Sequence, residues 1–266
     1  MKLKTVRAAQ GLMWLRAGLA VFARQPLGFS ALFALFGLAI VLLLQVPVVG
    51  QFAALALMPW LNLAFLLGTR DALVGRTPRP ALLLEPWRNV VLRKRLIHVG
   101  IAYALGTLVV VLVAHALDGG RFVAALEALA DDQAPPESMA DGSLAWAVLL
   151  RLALLSLLSL LFWYVPGLVA WGEMPLSKAL FASAVACLRS LGALAAFNLG
   201  WMAVIVLAVS VMQVLLALIG LGNVVAQAVV PVAMLATTAF YASLYFGFVD
   251  SFEFDGQDKA GPQVGS

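Results

Sequence analysis

PLGFSALFALFGLAIVLLLQVPVVGQFAALALMPWLNLAFLLGT, residues 26–69, contains no Asp, Glu, Lys or Arg. Its two apolar runs, 26–46 and 52–69, each come close to the ~20 residues that carry a helix across ~30 Å of hydrocarbon. Similar runs follow at 97–117, 144–170, 193–219 and 224–249. In lipid a backbone N–H or C=O finds no water, so runs of this length pair their polar groups internally as α-helices. The expected fold is an all-α polytopic bundle of six transmembrane helices.

Composition points the same way. Apolar residues make up 64% of the 266 positions and charged residues 11%, against ~45–50% and ~25% in soluble domains. Little chain remains outside the runs to bury a separate soluble core, so residues 1–266 read as a single integral membrane domain. The N-terminal basic segment and the run after it are both longer than the corresponding parts of a cleaved signal peptide. Residues 1–50 are therefore expected in the mature protein, although Ala54–Ala56 has the composition of a cleavage site. The single cysteine, Cys187, allows no intramolecular disulfide and reads as a small apolar filler.

The net charge of +4 is distributed by side of the membrane. Lys2, Lys4, Arg7, Arg16 and Arg24 precede the first run. Arg70, Arg76, Arg79, Arg88, Arg93, Lys94 and Arg95 lie between the second and third, Lys178 and Arg189 follow the fourth, and Lys259 follows the sixth. The opposite side holds Arg121 alone. Positive charge resists translocation, so both termini are expected on the cytoplasmic side of an inner (plasma) membrane. Charge placed this way serves topology, and nucleic acid is not an expected partner.

Two segments outside the runs read as helices lying in the cytoplasmic interface. Residues 1–25 place Trp14, Gly18 and Phe22 on one side, expected at the acyl boundary, and Arg7, Arg16 and Arg24 on the other. Residues 175–190 place Leu180, Phe181, Ala184 and Cys187 between Lys178 and Arg189. Each segment precedes a pair of runs, which makes a parallel internal repeat one reading and chance similarity of apolar sequence the other. The outer segment is expected to form a brief surface helix over RFVAALEALA, 121–130, and then a flexible acidic stretch with Asp131, Asp132, Glu137 and Asp141, and the tail, 250–266, is expected to be flexible.

Chemistry requires convergent polar groups, and the runs supply few. None contains Asp or Glu, which removes the usual carboxylate of proton coupling. His98 and His115, ~25 Å apart on one helix, cannot share a metal. No metalloprotease, phosphate-loop or nucleophile-elbow motif occurs, and no catalytic activity or cofactor is expected. Asn62, Ser156, Ser159, Asn198, Gln213, Gln227, Thr237 and Thr238 either line a solute path or bond between helices. Gly192, Ala196 and Gly200, and Gly100 with Ala104, form small seams for close helix contact, and Pro166 and Pro231 are candidate breaks. Arg151 lies inside the fourth run about two turns from its outer end. It has three placements: snorkelling to outer headgroups, anchoring an anionic headgroup or solute, or pairing with Asp118. Arg151, Arg7, Arg16 and Arg24 are the candidate contacts for an anion or lipid.

MKLKTVRAAQGLMWLRAGLAVFARQPL at residues 1–27, EPWR at Glu85–Arg88 and ALDGGRF at Ala116–Phe122 resemble an uncharacterised family of proteobacterial six-helix inner-membrane proteins. The order of an amphipathic helix and then a hairpin is more distantly similar to the membrane-anchor domain of some glycerophosphodiester phosphodiesterases, whose catalytic domain has no counterpart here. The resemblance implies location and topology and brings no reaction or catalytic residues. The expected role is a noncatalytic scaffold in contact with membrane lipids and with a membrane-protein partner or a second copy of itself. The alternative is a permease for a small solute or lipid. A permease would gather Asn62, Asn198, Gln213 and Gln227 around one cavity, and a scaffold would disperse them.

Overall fold

The computed structural model describes residues 2–130, 142–220 and 224–253. Most of the acidic outer segment, 131–141, and residues 254–266 of the tail lie outside the described residues. The chain is an all-α polytopic bundle, with six helices among the described residues long and apolar enough to cross a membrane. Two flanking two-residue strands, β1 (Lys2–Leu3) and β2 (Phe252–Glu253), pair antiparallel and bring the two ends of the described chain together. The end of the bundle that carries this bridge and the Arg- and Lys-rich 76–95 segment is its basic end.

The first hairpin is α2 (Pro26–Leu44) and α3 (Val49–Leu73). Its turn passes through Val48 at φ 59° and ψ −62°, with the Val49 N–H donating to the Pro47 carbonyl at 2.6 Å. That is the strained form of γ-turn, unusual for a β-branched residue. A 3-10 turn (Pro80–Leu84) and the short α4 (Glu85–Arg88) lead into α5 (Val90–Asp118). The Asn89 side chain accepts from the N–H groups of Val91 and Leu92 at 2.9 and 3.1 Å, capping the helix two turns before the apolar run expected to begin it. Arg93, Lys94 and Arg95 are therefore helical. α6 (Arg121–Ala130) follows at the opposite end.

The fourth run, expected as one helix over 144–170, is two. α7 (Ser143–Phe162) stops and α8 (Val165–Ala170) starts anew, because Pro166 has no N–H for the Phe162 carbonyl and its ring crowds that position. The polar groups freed at the break are taken up by α9 (Leu176–Arg189). Tyr164 N–H donates to Ser183 Oγ at 3.1 Å, and Ser183 Oγ and Cys187 Sγ both lie 3.3 Å from the Leu160 carbonyl. The last hairpin is α10 (Leu191–Leu218) and α11 (Val225–Ser251), and Pro231 leaves α11 unbroken.

Both amphipathic segments are helical, and each packs part of the stripe expected at the interface against the bundle. α1 (Ala8–Arg24) buries Gly11, Trp14, Leu15, Gly18 and Val21 against α10 and α11. A Cβ on Gly11 would stand 2.0 Å from the Ala193 carbonyl oxygen, so the helix backbones meet directly. Trp14 is thus a core residue and does not rest at the acyl boundary; Phe22 is half-buried. The face left exposed is Leu12, Met13 and Arg16, a mixture suited to a membrane interface. On α9 the buried stripe is Ala179, Ser183, Ala186 and Cys187, while Phe181 is 72% exposed. Small side chains win the inner face because α9 must come close enough to cap the α7 break. The element order of the proposed repeat is present, but its packing is not symmetric: α1 lies on α10 and α11, whereas α9 lies on α7 and α8.

The core fills the basic half of the bundle. Phe29, Phe65, Tyr164, Phe197, Tyr245, Phe248 and Phe252 are fully buried there. Toward the opposite end, α2 beyond Ala39, α10 beyond Trp201 and α11 before Thr237 expose most of their apolar side chains. Lipid is as apolar as leucine, so those halves gain little from packing together.

Candidate functional site

Where α3, α5 and α11 meet the α7–α8 break, a cavity of about 260 Å³ remains. Pro59 and Asn62 come from α3, Tyr103 from α5, Ser159 and Phe162 from α7, Pro166 from α8, and Phe240, Tyr241 and Leu244 from α11. Trp163, at the break itself, completes the wall. The cavity is a consequence of sequence: Pro166 ends α7, and the restarted helix leaves a gap beside α11. Trp163 stands edge-on to Phe240 at 6.2 Å and Tyr103 edge-on to Phe162 at 5.3 Å, so aromatic contacts fix the walls.

Four polar side chains, Asn62, Tyr103, Ser159 and Tyr241, face this space without a hydrogen bond to another described residue. No lining residue carries a charge. The arrangement can donate and accept hydrogen bonds to an uncharged guest and offers an ion nothing to offset its desolvation. Asn62 and Ser159 were legible in the sequence as neutral polar groups within runs. Tyr103 and Tyr241 were passed over, since an aromatic residue in a span reads as packing; a phenol far from both interfaces is the signal that would have found them.

The other neutral polar residues do not join them. Asn198, Gln213 and Gln227 are exposed on α10 and α11, and Asn198 bonds back to the Leu194 carbonyl at 2.8 Å. Thr69 closes a contact inside the core, donating to the Ala242 carbonyl at 3.0 Å. On α5, His98 Nδ1 is engaged by its own Lys94 carbonyl at 2.7 Å.

Arg151 takes the third of its three placements. Its guanidinium, 12% exposed, pairs with the fully buried Asp118 carboxylate and lies 4.2 Å from the centre of the Phe122 ring. Asp118 also accepts from the Gly120 N–H at 2.9 Å. This cluster ties the ends of α5, α6 and α7 together. Arg7, Arg16 and Arg24 are all exposed along α1 and do not converge. Arg7 lines a polar hollow of about 400 Å³ at the basic end with Lys4, Thr5, Gln10 and Asp250. The Cys187 thiol is pushed up to about 12 by burial, with a hydrogen bond to Ser183 only partly opposing the shift; such a thiol is a poor nucleophile.

No family model matches the chain, and no solved structure matches it. A probable inner membrane protein of Burkholderia thailandensis is 31% identical over 248 residues, 92% of each chain. Identity of that extent shows that the chain belongs to the family of that inner membrane protein.

Proposed function

We propose that this inner-membrane protein is a noncatalytic scaffold whose basic end and both termini face the cytoplasm. The observation that carries the reading is the uneven packing. The basic half is closed by aromatic side chains from six helices, while the opposite half presents apolar helix faces that a neighbouring membrane protein or a second copy can cover. The dispersal of Asn198, Gln213 and Gln227 away from Asn62 supports the same conclusion, since a solute path would gather them. The positive-inside bias supports the orientation. The amphipathic helix before each terminal hairpin fits an anchoring role.

A second reading, a permease for an uncharged solute or lipid, is favoured by the cavity and its four unsatisfied polar groups. The two differ in access. In a Cys187→Ser background, an Asn62→Cys variant is exposed to a membrane-impermeant thiol reagent in right-side-out and inverted vesicles. A scaffold gives labelling from one side at most. Labelling of the same cysteine from both sides would overturn the scaffold reading in favour of alternating access.

A further inference from the structure

Between α2, α3 and the strap formed by the 3-10 turn and α4 runs an apolar groove of about 390 Å³. Leu35, Leu38, Ala39 and Leu42 of α2 form one wall; Trp60 of α3 and Trp87 of the strap form the other. From Leu35 to Leu42 the groove follows the helix for ~10 Å. Trp87 stacks on Trp60 with ring centres 5.7 Å apart and planes 13° apart. Trp60 is only 7% exposed, and its indole N–H is buried without an acceptor. A buried donor left unpaired is a standing cost that an occupant bringing an acceptor removes.

The strap adds charge. Residues 76–95 hold Arg76, Arg79, Arg88, Arg93, Lys94 and Arg95 against Glu85 alone. Arg76 is engaged by Asp71 at 3.1 Å, Arg88 by Glu85 at 3.2 Å, and Arg93 lies over the Trp87 ring at 5.3 Å. Arg79, Lys94 and Arg95 have no carboxylate partner among the described residues. Arg79 directly precedes Pro80 on the groove rim, and Lys94 and Arg95 follow Arg93 in the first turns of α5. An apolar channel parallel to the helices, an unmet donor in its wall and unpaired cations next to Pro80 and Arg93 in the chain match the three parts of one molecule.

We propose that this groove is a binding site for an anionic phospholipid of the leaflet on the basic side. One acyl chain lies along Leu35–Leu42, an ester carbonyl accepts from Trp60 Nε1 as Trp87 shifts aside, and the headgroup phosphate is held by Arg79, Lys94 and Arg95. Trp87 is 53% exposed, so its outward side meets no other element. The site is separate from the central cavity.

The test is native mass spectrometry of the purified full chain, titrated with dioleoylphosphatidylglycerol or dioleoylphosphatidylcholine, which share chains and carbonyls and differ in charge. The parent retains the anionic lipid more strongly. Trp60→Phe, which keeps a ring against Trp87, weakens both lipids by about fivefold, the worth of one hydrogen bond. Arg79→Gln/Lys94→Gln/Arg95→Gln removes the preference for the anionic lipid, by more than about tenfold at low salt. Ala39→Trp fills the groove and abolishes retention, whereas Val109→Trp, an equal bulk on the exposed face of α5, does not. Equal retention of the two lipids by the parent, undiminished binding in Ala39→Trp, or a parent that flies as a lipid-free dimer through this face would each overturn the proposal. A Trp60→Phe protein that fails to fold leaves the Ala39→Trp and triple-Gln comparisons decisive.

Discussion

The indole N–H of Trp14 donates to the Asp250 carboxylate at 2.7 Å, joining positions 236 apart in the chain. The same ring stands edge-on to Phe197 at 6.1 Å, so one side chain couples α1 to both helices of the last hairpin. Around it, Val6 N–H donates to Ser190 Oγ at 3.3 Å, and Lys4 pairs with Glu253 at 3.4 Å. α1 is thereby a strap that closes the basic end of the bundle over its own termini.

Trp14→Phe keeps a ring against Phe197 and removes only the donor. A hydrogen bond to a charged group is worth about 1.5–3 kcal/mol, and the variant is expected to lose that much stability. Trp14→Ala also leaves a cavity and should lose about 3–5 kcal/mol. Unfolding followed by circular dichroism in mild detergent measures both. A Trp14→Phe protein as stable as its parent would show that water serves Asp250 equally well.

For Arg151 and Asp118 the prediction concerns non-additivity. Arg151→Leu strands a fully buried carboxylate, and breaking a buried pair from one side costs about 3–5 kcal/mol. Arg151→Leu/Asp118→Leu removes both charges and should recover most of the loss. Unfolding free energies of the two singles and the double settle the matter. If the double is as unstable as the sum of the singles, the pair contributes nothing through its charges and Phe122 stacking is the dominant contact.

The six spans were legible because lipid demands length and apolarity, and both are written locally; the fourth run broke at Pro166, and the Asn89 cap moved the start of α5 two turns earlier. The lipid-facing reading of Trp14 on α1 failed for one reason. A helical stripe containing Trp14 and Phe22 looks lipid-facing, yet Gly11 and Gly18 on that stripe let α1 reach the backbones of α10 and α11, and which neighbour arrives is not a local property. The small seam at Gly192 and Gly200 was recognised, but not that it receives α1 at Ala8 and Leu15. The central cavity was half legible. Asn62 and Ser159 stood out by polarity, whereas its existence depends on how α7, broken by Pro166, meets α11, a tertiary outcome.

Cys187 gives a pH-dependent expectation. Its folded value of about 12 lies above the ordinary thiol value of 9.0. The folded state therefore holds the proton more tightly, and this contributes to stability in full below the unfolded value and is lost as pH rises toward 12. Native protein should resist iodoacetamide from about pH 7 to pH 9 and react promptly once unfolded in dodecyl sulfate. Ser183→Ala removes the acceptor of the Tyr164 N–H and should open the α7–α9 contact, raising native labelling. Rapid alkylation of the parent at neutral pH would contradict the buried placement.

The proposed orientation rests on charge, and reporter fusions test it directly. Arg and Lys resist translocation when they lie in short loops beside membrane helices, and the 76–95 segment with its six cations is such a loop. A reporter active only in the periplasm should give signal when fused after Gly50, Gly120 or Gly220, at the end opposite the basic one. Fusions after Gly75, Lys178 or Ser266 should be silent. The pattern is over-determined, because the strap at α1 and the β1–β2 bridge hold both termini on one side whatever that side is. A fully inverted result would therefore leave the fold intact and reverse the proposed sidedness, placing the groove proposed for lipid in the outer leaflet. Signal after Gly75 alone would instead mean that α2 and α3 do not both cross, and would break the six-span arrangement itself.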